Sequence, residues 1–134
     1  MKYFFLALTV IFSQFANAGS GKALIPHWES ASSVILFISN ITNNPIEVNL
    51  KLYDEKGDSV HLEEVGLSSQ FVLEPKASAK FTSKGKELYW KFGFGSISWK
   101  NLSADENEVA ITAVTETYSG HRGKLIMINN GQPF

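Results

Sequence analysis

Three features of the chain predict an all-β fold, a single antiparallel β-sandwich of immunoglobulin-like type with about eight short strands. Residues 46–53 (IEVNLKLY) alternate apolar and polar throughout, the period of a strand with one buried face. Clusters rich in Asn, Gly, Ser and Pro break up the apolar segments every ~8–12 residues. No segment carries apolar side chains at the spacing of an amphipathic helix.

Residues 1–18 stand apart from this domain. Met1-Lys2 give a short positive end, and residues 4–12 (FFLALTVIF) form an apolar stretch too short to span a bilayer. Ala16-Asn17-Ala18 supplies the small residues of a cleavage site. This is the pattern of a signal peptide cleaved after Ala18. The expected domain is therefore 19–134, exported to the periplasm, the medium or a secretory lumen. Within it, Leu24 and Ile25 are expected to begin the first strand, and Trp28 to cover an open end of the sandwich.

Residues 34–38 (VILFI) are continuously apolar, as in a strand covered on both faces. The turn formers of 40–45 (NITNNP) follow. In 46–53, Ile46, Val48, Leu50 and Leu52 point one way, and Glu47, Asn49, Lys51 and Tyr53 the other. Residues 54–57 (DEKG) make a hairpin turn, with Gly57 free to take positive φ. Residues 59–63 return as a weaker strand, placed at a sheet edge where Glu63 and Glu64 discourage unwanted pairing. Strands at 70–74, 77–82, 92–100, 108–118 and 124–128 complete the set, separated by turns at 83–86, 101–107 and 119–123.

The formal net charge of the 134 residues is −1, and loss of Lys2 with the leader makes it one unit more negative. No basic stripe tracks a phosphate backbone, so nucleic acid is not an expected partner. The chain has no cysteine. The sandwich is therefore disulfide-free, a lipid-modified cysteine is impossible, and apolar burial must carry the stability. No later apolar run reaches the ~18 residues of a membrane helix.

The stretch VILFISNITNNPIEVNLKLYDEKGDSV, with the later FVLEPKASAKF, resembles the FxLYD-type and related Ig-like domains of bacterial exported proteins. The matching residues are Asn40, Asn43, Leu52-Tyr53-Asp54, Gly57, Pro75 and Phe81, all within 34–82. From Phe92 onward the chain departs from the short FxLYD pattern. As a whole it is more loosely similar to the small β-sandwich of the sensory-rhodopsin-transducer type, an oligomeric ligand- or partner-binding domain. Either resemblance implies a non-enzymatic module, and neither supplies a binding residue.

The segment KELYWKFGFGSISW (86–99) holds five aromatic residues and two glycines. As one strand, Phe92, Phe94, Ser96 and Ser98 share a face, while Gly93, Gly95, Ile97 and Trp99 share the other. Either apolar pair suits a core, and the glycines permit close approach of a neighbouring backbone. The alternative is a stacking platform of Tyr89, Trp90 and Trp99, for which carbohydrate is the best-fitting ligand. His121 and Arg122 lie in SGHRG (119–123), a glycine-bordered loop. Arg122 is the only arginine, and its planar fork suits a carboxylate or sulfate.

Catalytic signatures are missing. His27, His61 and His121 show no ligand-pair spacing, no G-x-S-x-G elbow occurs, and Glu63-Glu64 and Asp105-Glu106 sit in polar, turn-like surroundings. No metal or cofactor is expected. The sequence thus predicts an exported, non-enzymatic binding or assembly module. It would recognise a protein partner or a second copy through loops or an edge strand, the alternative being a carbohydrate-type ligand at 89–99.

Overall fold

The computed structural model describes residues 19–103, 109–119 and 122–134; the leader expected at 1–18 and His121 lie outside the described residues. Eight strands follow in order: β1 (Ser20–Ser30), β2 (Ile35–Asn40), β3 (Ile46–Asp54), β4 (Gln70–Leu73), β5 (Ser78–Thr82), β6 (Lys91–Asn101), β7 (Ile111–Ser119) and β8 (Arg122–Met127). They form two antiparallel sheets of four, packed as a sandwich. The first has the order β4-β3-β6-β1 and the second β8-β7-β2-β5. Among the described residues, one parallel pair, Ser30 with Tyr118, joins β1 of the first sheet to β7 of the second.

The alternation in β3 builds the core. Ile46, Val48, Leu50 and Leu52 are buried and meet Leu36 and Ile38 of β2, Ile97 and Trp99 of β6, and Ile111 of β7 in one cluster. Burying a side chain of this size contributes roughly 1.5–3 kcal/mol. With no cysteine in the chain, this interior carries the fold. The Asn-rich turn is tied down as well. Asn40 donates through Nδ2 to the carbonyls of Asn44, Leu73 and Glu74, and Thr42 donates to its Oδ1. These bonds satisfy a buried amide and hold the β2–β3 turn against the end of β4.

Two expectations need correction. The first strand starts at Ser20, not Leu24, and runs for 11 residues. Trp28, expected to cover an open end, is wholly buried two residues before the end of β1. Residues 59–63 are not a strand. Only a single bridge, Tyr53 to Ser59, and the bond from Val60 N–H to the Leu52 carbonyl join them to β3. The chain then turns away, held by Val65 N–H to the Leu62 carbonyl and by Gly66 at φ 71. Leu62, Val65 and Leu67 anchor this loop in the core, and apolar burial wins over continued strand pairing. The sheet edges are therefore β4 and β1 in the first sheet and β8 and β5 in the second.

Candidate binding face on the first sheet

The period-two rule divides the aromatics of β6 between two environments. Ile97 and Trp99 point inward and are buried, whereas Phe92 and Phe94 stand on the outer face, 50% and 46% exposed. The glycines between them are required by geometry. A Cβ on Gly93 would lie 1.9 Å from the Tyr53 carbonyl oxygen, and one on Gly95 2.4 Å from the Lys51 carbonyl oxygen. Neither contact is tolerable, so β3 and β6 approach as closely as they do only because both positions lack side chains. From the inside, the Trp28 indole N–H is shared between the carbonyls of Tyr53 (3.0 Å) and Phe94 (3.1 Å). A register shift between Ile25 and Trp28 brings the indole there.

On the outside of the same strand pair, the Tyr53 and Phe94 rings stack with centroids 5.0 Å apart and planes 21° apart. Phe92 continues the row, with the His27 ring 6.3 Å from it. Trp90 precedes the strand and is 78% exposed, with its backbone at φ 58. That conformation is unfavourable for a bulky residue. The turn holding it is anchored by buried Leu88 and closed by Tyr89 N–H to the Lys86 carbonyl. One end of the outer face thus carries Tyr53, Phe92 and Phe94, with Tyr89 and Trp90 at the rim.

Tyr53 also forms the wall of a groove of about 440 Å³ on the same outer face, along the flank of β3 away from β6. Asn49, Lys51 and Tyr53 line it from the strand, Ser59, His61 and Glu63 from the following loop, and Ser69 and Gln70 from the start of β4. The carboxylates around it are already engaged. Glu63 accepts from the Ser69 hydroxyl and, at 3.2 Å, from the Ser69 N–H. The hydroxyl first and these backbone bonds next hold its pKa below the ordinary carboxylate value, with His61 adding to the effect. Glu47 binds the Lys100 ammonium at 2.8 Å and is also lowered, by that bond first and then by Gln70. At Asp54, desolvation pushes the pKa up. It is outweighed by the N–H groups of Lys56 and Asp58, each 2.9 Å from Oδ1, and the pKa falls.

Among the described residues, those singled out in the sequence lie apart. Trp99 is 2% exposed, with its ring packed over Gly21, so it cannot present a surface to a ligand. Tyr89 and Trp90 are exposed together at the rim of the first sheet. Arg122 opens β8 in the second sheet, paired with Ser119, and His121 is outside the described residues. Tyr53, Phe92, Phe94 and the groove side chains were not among the candidates. The alternation in β3 had already placed Tyr53 on the outer side; what it lacked was the register that sets Phe94 beside it. Among the described residues, no three His, Asp or Glu side chains gather as metal ligands would.

No family model matches the chain, and no curated protein matches it. Its fold is similar to the crystal structure of Thermotoga maritima 1070, at a TM-score of 0.50 and 14% sequence identity, over 85% of this chain and 98% of that one. A likeness at that identity bears on the fold alone.

Proposed function

We propose that the chain is an exported, non-enzymatic recognition module that takes a saccharide on the outer face of its first sheet. The observation that carries this reading is the Tyr53–Phe94 stack beside a groove of hydrogen-bonding side chains. Aromatic rings outside the core lose the burial that would otherwise favour them inside, and they mark a surface that something else covers. A sugar has apolar C–H faces that suit a ring and hydroxyls that suit Asn49, Gln70, Ser59 and His61. The sheet places both kinds of group on the same side. Export rests on the leader at 1–18 and predicts a released product that begins at Gly19.

The test is a glycan array with the mature chain, followed by titration of any hit against Tyr53→Ser and Phe94→Ser. Both variants should keep their thermal midpoints within a few degrees and lose retention. Retention that survives both substitutions, or a mature chain that retains no glycan, rejects the proposal.

Recognition of protein has its own supporting observation, which keeps it as a second reading. Leu125 and Met127 on β8 are 63% and 53% exposed, and the register continues Met127 through Val114 to Phe37 across the second sheet. Self-association there predicts a dimer by size-exclusion with light scattering that Met127→Lys dissociates. A monomer at high concentration removes that self-association.

A further inference from the structure

We infer that the saccharide is an anionic one, whose carboxylate or sulfate is held by Lys51; this rests on the proposed saccharide reading. The argument is a charge count around the groove. Glu47 is bound to Lys100, Glu63 to Ser69, and Asp54 to the N–H groups of its own turn. Lys51 also lines the groove, and among the described residues no carboxylate pairs with it. It sits two positions before Tyr53 on the same side of β3, a separation of roughly 6.5–7 Å along a strand. Its neighbours across the outer face are Ser96 and then Leu24, neither of which carries a charge. The side chain therefore reaches from beside the stacking ring with its ammonium unspent.

A flat ring seated on Tyr53 would present its edge substituents toward Lys51 and Asn49. A neutral sugar would use the amide and leave the ammonium to water. A uronate or sulfated sugar would give that ammonium a charged acceptor, a bond about twice as strong as a neutral one. Glu63 acts in the opposite sense: its lowered pKa keeps it negative on the far wall, where it limits the affinity for an anion. The two groups thus predict opposite effects when neutralised.

The experiment compares binding of tri-galacturonate, a sulfated trisaccharide and a neutral trisaccharide of galactose to the mature chain, by calorimetry. The carboxylate and sulfate arms separate the two anion sources. At least one anionic ligand should bind roughly tenfold more tightly than the neutral one. Lys51→Gln should abolish that difference, added salt should shrink it, and Glu63→Gln should enlarge it. Both residues are exposed; Lys51→Gln should keep the thermal midpoint, and Glu63→Gln, which loses a carboxylate that accepts from Ser69, is titrated well below its own midpoint. Equal affinities for neutral and anionic ligands, or a preference untouched by Lys51→Gln, overturns the inference while leaving saccharide recognition in place. Failure of all three ligands, with no retention on a glycan array, removes the saccharide reading and this inference together.

Discussion

Alanine at Gly93 tests the contact on which the candidate face is built. The added Cβ would lie 1.9 Å from the Tyr53 carbonyl oxygen, 2.9 Å from its carbonyl carbon and 3.0 Å from Asp54 Cα. All three are backbone atoms, so no rotamer change relieves the clash. To restore an ordinary contact, β3 and β6 must separate by more than ~1 Å. That movement stretches the two bonds of the Trp28 indole, now 3.0 and 3.1 Å, beyond useful length. It also opens the adjoining pairs Tyr53–Phe94 and Asp54–Gly93. Three or four hydrogen bonds at about 1 kcal/mol each give a loss of roughly 3–4 kcal/mol, or a fall in midpoint of roughly 10–20 °C for a domain of this size. Gly57→Ala is the control. Nothing lies within 4 Å of its Cβ position, and its φ of +87 adds only a conformational cost of about 1–2 kcal/mol. Thermal and urea unfolding followed by circular dichroism compare the two. If Gly93→Ala destabilises no more than Gly57→Ala, the close approach of β3 and β6 is not what requires glycine, and the reasoning fails.

Trp28→Phe should cost roughly 1–3 kcal/mol by urea unfolding, because two carbonyls lose their shared indole donor; Trp90→Phe should cost almost nothing. Trp28 and Trp99 are buried and Trp90 is 78% exposed, so Trp90→Phe should remove the long-wavelength part of the tryptophan emission. An unshifted spectrum would mean that Trp90 is covered. Glu63 and Glu47 have pKa values lowered from 4.5. Their contribution to stability is therefore present above that value and lost as pH falls through the folded-state values. Between about pH 6 and about pH 3 the native chain should lose more midpoint than Ser69→Ala, and in Lys100→Gln the Glu47 titration followed by NMR should move upward. An unchanged Glu47 titration would show that Lys100 does not hold it.

The sandwich was legible because alternation in 46–53 and the spacing of turns reflect the same requirement, one apolar face per strand. Asn40 and Gly57 were legible as turn residues for a similar reason, since their chemistry is local. What stayed hidden depends on register and on long-range packing. Either apolar pair in 92–99 could have filled the core; the choice of Ile97 and Trp99 follows from Gly93 and Gly95 facing β3 and from Trp28 meeting the same strand pair. Residues 59–63 looked like a strand because Val60 and Leu62 alternate with polar neighbours. The same two positions anchor a loop as readily, and Gly66 with the apolar Val65 and Leu67 decided it. Trp99 failed as a ligand residue because five aromatics in one segment give no sign of which of them the core will take.

The way the edges are built argues for recognition on a face. β4 has only four residues and β5 five. Pro26 lies where β1 shifts register, and a proline there withholds a donor from any added strand. Lys124, two positions before Ile126, falls on the inward side of β8, where a charge discourages pairing by another chain. The second sheet's outer face is also screened, with the Lys80 ammonium 5.5 Å from the Phe37 ring centroid and Glu116 beside Leu125. On the first sheet charges flank the rings without covering them, Glu29 opposite Phe92 and Lys51 two positions before Tyr53. The Glu47–Lys100 pair occupies one end of the outer face, while Tyr53, Phe92 and Phe94 occupy the other with no cation over their rings among the described residues. A sequence under pressure only to stay soluble would place polar residues at those three positions, as it does at Ser96 and Ser98 of the same strand. Three rings there, held in register by two glycines and an indole from below, make sense when a ligand covers them.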